Sequence, residues 1–454
     1  MPAPGNHNSV PYFGDRYQIR PYIGPQLRPY GVARARQGCA RPAPAGPAVR
    51  RRPGRAVRRC DLMSVSELRS ANLSAMSDRP RYFWIGIVLA VSITAACTIA
   101  AVSSSSRGRT GARPDIVMAT DSLTSQPPGM PIGLDYGNTL FGADAAAIAS
   151  GFDDAEKLGA SWVRVDLPWD GIQPATSETA YDWSRFDTLV ADAGARGLKL
   201  LVTVVDPPVW ARNAACAAQE TCEPLDPQAY AAFAARAAAR YAPRGVHDWE
   251  IWNEENLGGF SVSADPAAAY AALLAASYQA VHHADPDALV MIGGLGMVQT
   301  EQAQHWTGAY DFLSGVAKAG GLADADAVGV HPYDWNTTPK DSAAFALIDG
   351  AGRSLASVLA AYGHPDLKFW ITETGAPTAG SPKVSLARQA QLATQTVAAE
   401  TADPHVDGLF WYSDIDIPGS DLYYGLRTAD GTAKPAFAAL RTAIAGYRAT
   451  VHRP

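Results

Sequence analysis

Cysteine and lysine are both scarce in this chain, and the part that is patterned to fold has no excess of basic residues. Of the five cysteines, only Cys216 and Cys222 fall within the patterned region, in an Ala/Gln/Glu/Pro-rich loop with no histidine nearby. Two thiols without a neighbouring imidazole offer too few ligands for a structural zinc site. In an oxidising compartment the pair reads as a local disulfide. No metal and no cofactor is expected. Lysine numbers seven, and the twelve Arg of residues 1–60 meet a single acid, Asp15, for a net +11 there. Residues 61–106 balance, so with −6 overall, residues 107–454 carry −17. A surface that acidic excludes nucleic acid as the partner of the folded part.

The amino-terminal region lacks the periodicity of a core. Residues 1–81 read as a disordered cytoplasmic tail, rich in Pro, Gly and Arg over 1–62. They also include two alternative starts, Met63 and Met76. Residues 82–102 then run for twenty-one positions without a charge, opening on Tyr82-Phe83-Trp84 and preceded by Arg79 and Arg81. At ~1.5 Å per residue that length spans a ~30 Å hydrocarbon core. The flanking arginines place the N-terminus in the cytoplasm. A retained membrane anchor and a cleaved signal, with Ala101-Val102-Ser103 as the cleavage site, both fit. A lipoprotein signal around Cys97 fits less well. All three readings export the rest, leaving the patterned part outside the cell membrane or secreted. Residues 103–129, with Ser103 to Ser106 and Pro127-Pro128, read as a flexible linker.

From Met130 the chain alternates strand and helix patterns. Strands are expected at 131–135, 162–166, 199–205, 249–256, 288–293, 327–333, 369–375 and 406–412. Helices are expected at 144–158, 183–196, 227–241, 265–283, 309–319, 354–362, 386–400 and 434–447. Alternation of this kind makes a parallel sheet with crossover helices. An open doubly wound sheet usually carries a Gly-rich phosphate turn after its first strand, and Gly133-Leu134-Asp135-Tyr136-Gly137 is not one. A (β/α)8 TIM barrel over 130–450 is the better reading, ending at its last helix with no appended β-sandwich and no obligate protein partner evident.

Active sites of such barrels sit at the C-terminal ends of the strands. Arg164, Asp166, Trp210, Asn253, Glu254, His331, Tyr333, Glu373 and Trp411 collect at those ends. Each alone has a plain structural explanation, and it is their joint placement that points to a site. Trp249-Glu250-Ile251-Trp252-Asn253-Glu254 is an apolar strand that breaks into a carboxylate, and Phe369-Trp370-Ile371-Thr372-Glu373 is another. Two carboxyl groups on neighbouring strand ends are the minimum equipment for cleaving a glycosidic bond.

Read together, these motifs resemble clan A glycoside hydrolases, most closely the family 39-like and cellulase-like members. Trp252-Asn253-Glu254 is similar to their strand-four motif and Ile371-Thr372-Glu373-Thr374-Gly375 to their strand-seven motif. The resemblance implies Glu254 as acid/base and Glu373 as nucleophile of a retaining mechanism on β-glycosides, with the two carboxyls ~5–5.5 Å apart. It further implies that Arg164, His331 and Tyr333 surround the nucleophile, as in a strand-six His-x-Tyr. Asn253 would bind the sugar 2-hydroxyl, Trp411 would floor the cleavage subsite, and Trp210 would stack on a sugar face. The run Tyr424-Gly425-Leu426-Arg427 onward is like the one that precedes the last helix in this group. Glu255 departs from the pattern, standing where many members have Pro. Two rival classes share these features, an envelope-glycan transglycosylase and a non-catalytic carbohydrate-binding barrel.

Overall fold

A computed structural model of the chain describes residues 129–176 and 180–451. The tail, the 82–102 segment and nearly all of the linker lie outside the described residues. Among the described residues no helix is long and apolar enough to cross a membrane.

Eight parallel strands close into a barrel: Ile132–Asp135, Trp162–Pro168, Lys199–Val205, Asp248–Asn253, Leu289–Gly296, Ala327–His331, Lys368–Thr374 and Val406–Tyr412. They are called strands one to eight here. Strand eight closes on strand one in the register Ile132↔Leu409 and Leu134↔Trp411. The strands are nearly continuous apolar runs because helices cover the outer face and side chains fill the inner one. The helices start where short polar residues can cap them. Asp144 accepts from the amide of Ala147, and Asp226 and Asp265 each cap a helix whose next residue is Pro. Pro fits there because its missing N–H would have had no helical partner.

Alternation along the strands sorts side chains into two sets. Val163, Val165, Leu200, Val202, Ile251, Val328, Phe369, Ile371, Leu409 and Trp411 face the helices and share one core with them. Trp162, Leu201, Met291, Ala327, Trp370 and Phe410 fill the barrel's interior. Large rings fit inside because glycines face them: a Cβ at Gly408 would lie 2.4 Å from the Trp370 indole. Two residues further along, the inward set turns polar. Trp162 is followed by Arg164, Leu201 by Thr203, Trp370 by Thr372 and Phe410 by Tyr412, so the apolar plug carries a polar layer at the C-terminal ends of the strands.

Several boundaries differ from the sequence expectation. Strand five continues to Gly296 through a register irregularity between Ile292 and Leu295. Strand six stops at His331, leaving Tyr333 on the following loop. The segment expected as a loop after strand six holds a helix, Ala343–Asp349, capped by Ser342. A one-turn helix, Trp169–Ile172, follows strand two.

Candidate active site

The strand-four end is built on an unusual backbone. Trp252 (φ 70°) and Glu254 (φ 45°) are both left-handed without being glycine, a conformation that costs ~1–3 kcal/mol and collects at functional sites. It breaks the strand's alternation. Trp252 stays in the outer core against Tyr230, while Asn253 and Glu254 turn into the barrel mouth. The Glu254 amide donates to Gly294 O at 3.1 Å, tying the turn to strand five. Glu254 Oε1 lies 3.3 Å from His331 Nδ1. Burial raises the Glu254 carboxyl above its ordinary range, with His331 working against it and the nearby Glu373 adding to it.

Glu373 has a different surrounding. Arg164 Nη1 donates to its Oε1 at 2.9 Å and the Tyr333 hydroxyl to its Oε2 at 2.9 Å. Burial raises this carboxyl too, but here a guanidinium and a phenol oppose it. Arg164, itself only 1% exposed, also donates from Nη2 to Asn253 Oδ1 at 2.9 Å and from Nε to Glu250 Oε2 at 2.6 Å. Its Nη1 pairs with Asp135 Oδ2 at 3.2 Å. One cation thus meets three carboxyl groups, and burial pushes Asp135 up to about 7. Between the two glutamates stands His331, with Nε2 3.0 Å from Thr372 Oγ1 and 3.6 Å from Glu373 Oε1. Burial lowers its basicity, so the ring is neutral at neutral pH. It fits because strand five offers no side chain there: a Cβ at Gly294 would fall 1.8 Å from His331 Nε2.

The structure therefore gathers Arg164, Asn253, Glu254, His331, Tyr333 and Glu373 at one end of the barrel. Trp210 lies on the short turn Val209–Ala211 after strand three, 37% exposed and edge-on to Trp169 with ring centroids 5.4 Å apart. Trp411 requires a correction. It faces outward into the barrel–helix core, 3% exposed, so it cannot floor a sugar site. The inward position belongs to its neighbour Tyr412, whose ring packs 5.4 Å from that of Tyr424. A one-residue offset in a strand exchanges the faces. Cys216 and Cys222 form the expected disulfide in the loop beyond Trp210.

Sequence reasoning passed over Glu250, Asp135 and Tyr412. For Glu250 a signal was there: a lone carboxylate between Trp249 and Ile251 can only point inward. Among the described residues one group of three side chains is close enough to share a metal ion, Asp349, Asp403 and His405. It lies at the start of strand eight, the opposite end of the barrel from the two glutamates.

A family model for cellulases, glycosyl hydrolase family 5, matches residues 125–413. The chain belongs to this family. The family is one of glycosyl hydrolases. Solved structures agree on the fold. A family 39 glycoside hydrolase from the gut symbiont Bacteroides cellulosilyticus WH2 is 22% identical with a TM-score of 0.55, covering 70% of this chain and 64% of that one. GH5_18 from Streptomyces cattleya, in complex with GlcNAc, is 21% identical with a TM-score of 0.53, covering 72% and 82%. A family 39 β-xylosidase from Caulobacter crescentus is 21% identical with a TM-score of 0.50, covering 71% and 73%. The chain thus spans under two thirds of the first of these. No curated protein matches the sequence. The resemblance to cellulase-like and family 39-like members of clan A holds, the first in family and the second in fold.

Proposed function

We propose that this family 5 protein is an exported retaining glycosidase that cleaves β-linked polysaccharide or oligosaccharide by double displacement, with Glu373 as nucleophile and Glu254 as acid/base. One observation carries the division of labour. Both carboxyls are half-buried, yet only Glu373 has a guanidinium at 2.9 Å and a hydroxyl on its other oxygen. Glu254 has a neutral imidazole instead. The first environment favours a carboxylate and the second a carboxylic acid, which separates nucleophile from acid.

In the first step a Glu373 oxygen bonds to the anomeric carbon as the bond to the leaving oxygen breaks, and the Glu254 proton passes to that oxygen. Glu373 then carries no charge. Its repulsion of a Glu254 carboxylate is removed, so Glu254 becomes more acidic and suited to act as base. In the second step Glu254 takes a proton from water, the water oxygen bonds to the anomeric carbon, and Glu373 leaves as carboxylate. Arg164 occupies Asn253 Oδ1, which leaves the amide N–H groups of Asn253 for a sugar hydroxyl. Trp210 supplies an exposed ring at the rim for stacking. Export rests on residues 82–102, as anchor or as cleaved signal.

The test uses leaving groups. Glu254→Ala is expected to lose roughly 10²–10⁴-fold on glycosides whose leaving oxygen needs a proton, and little in forming the glycosyl-enzyme from dinitrophenyl glycosides. Glu373→Ala is expected to fail on both. Near-full activity of either variant on a natural β-glycoside would sink the assignment.

A further inference from the structure

We infer that Glu250 is a positioning residue for the reaction: from inside the barrel it fixes the Arg164 guanidinium, and through it both Glu373 and Asn253. The inference rests on the roles proposed above for those two residues.

Glu250 is fully buried and points inward between the outward-facing Trp249 and Ile251. An ion in such a place costs several kcal/mol unless it is well paired. Its Oε2 accepts from Arg164 Nε at 2.6 Å and from Thr203 Oγ1 at 2.8 Å. Its other oxygen makes no hydrogen bond and lies against Gly329, where a Cβ would come within 2.6 Å of it. The carboxylate is thus wedged between strands three and six in one position. A guanidinium is a rigid plane, so holding its Nε edge sets where the two other nitrogens point. One of these meets the nucleophile and the other the Asn that faces the sugar.

Glu250 also acts by charge. It pushes the Glu373 carboxyl upward, against the pull of Arg164 and Tyr333. Geometry and charge therefore have separable signatures. The other titratable groups near Glu373 are Asp135 on strand one, Asp166 on strand two and Glu254 after strand four. His331, Tyr333, Tyr412 and Tyr424 complete them from strand six, the loop after it, strand eight and the segment beyond strand eight. All of these are unchanged in the variants below.

The experiment uses the full chain with 13C-labelled glutamate carboxyls and an aryl β-glycoside assay. Glu250→Gln keeps an acceptor for Arg164 Nε and removes the charge. The Glu373 titration should move to lower pH, and kcat should fall roughly 10- to 100-fold with KM little changed. Thr203→Val keeps the charge and loosens the carboxylate, so kcat should fall without a move in the Glu373 titration. Glu250→Asp should return the titration toward wild type without restoring kcat. A folded Glu250→Gln protein with an unmoved titration and wild-type kcat overturns the proposal. If that variant does not fold, wild-type kcat in Thr203→Val does so. Should the wild type cleave no glycoside at all, the hydrolase reading fails, while the titration still reports whether Glu250 acts on Glu373.

Discussion

Glu254 and Glu255 are consecutive, yet their carboxyl groups lie on opposite faces of the barrel wall. Glu254 reaches His331 inside the mouth. Glu255 is buried on the outer face, where a Cβ at Gly293 would lie 2.6 Å from its Oε2, beside the Tyr270 that takes the Gly293 amide. Gly293 and Gly294 are themselves neighbours on opposite faces: Glu255 fills the space Gly293 leaves, and His331, the partner of Glu254, fills the space Gly294 leaves. The left-handed backbone at Trp252 and Glu254 keeps Trp252 in the outer core and brings Asn253 to the same side as Glu254.

Burial raises the Glu255 carboxyl well above its ordinary range, with Glu250 and Glu254 adding to it. The folded state therefore holds a proton that the unfolded chain loses near pH 4.5. This is the reverse of the usual carboxylate case, so the cost of Glu255 is absent below the unfolded pKa and grows as pH rises through it. Glu255→Gln should gain stability relative to wild type between pH 4 and pH 7, measured by denaturant midpoints at each pH. Activity should survive, in contrast to Glu254→Gln.

Tyr333→Phe removes the hydroxyl that donates to Glu373 Oε2 at 2.9 Å. A hydrogen bond to a charged group is worth about 1.5–3 kcal/mol, which corresponds to roughly 10- to 150-fold in rate. That bond lowers the Glu373 carboxyl, so its loss should move the acid limb of kcat/KM to higher pH. A pH–rate profile of the two proteins reads both effects.

The two tryptophans expected to touch sugar should separate cleanly. Trp411→Ala empties a site in the outer core and should cost about 3–5 kcal/mol of stability. Trp210→Ala alters an exposed ring and should leave the melting temperature near wild type while raising KM. Thermal melts beside Michaelis curves for both variants check this, and a KM effect from Trp411→Phe with unchanged stability would contradict it.

The barrel was legible because each strand is a short apolar run between helices with visible caps, and all eight expected strands are present. The polar strand ends were legible too, since a carboxylate after Trp252 or Thr372 interrupts an apolar pattern. Trp411 was not. Gly408-Leu409-Phe410-Trp411-Tyr412 is apolar on both faces, so it shows no alternation from which a face could be read. Nor could spacing reveal the left-handed turn that brings Asn253 and Glu254 to the same side. Without that turn, parity along strand four would have sent Trp252 inward.

The most direct test of the central claim is to trap the glycosyl-enzyme. Glu254→Ala protein is mixed with a dinitrophenyl β-glycoside, digested and weighed by mass spectrometry. The account predicts one sugar mass on the peptide that contains Glu373, absent when Glu373 is also replaced by Ala. A sugar on a different residue, or turnover to a product of inverted anomeric configuration with no adduct, would contradict it.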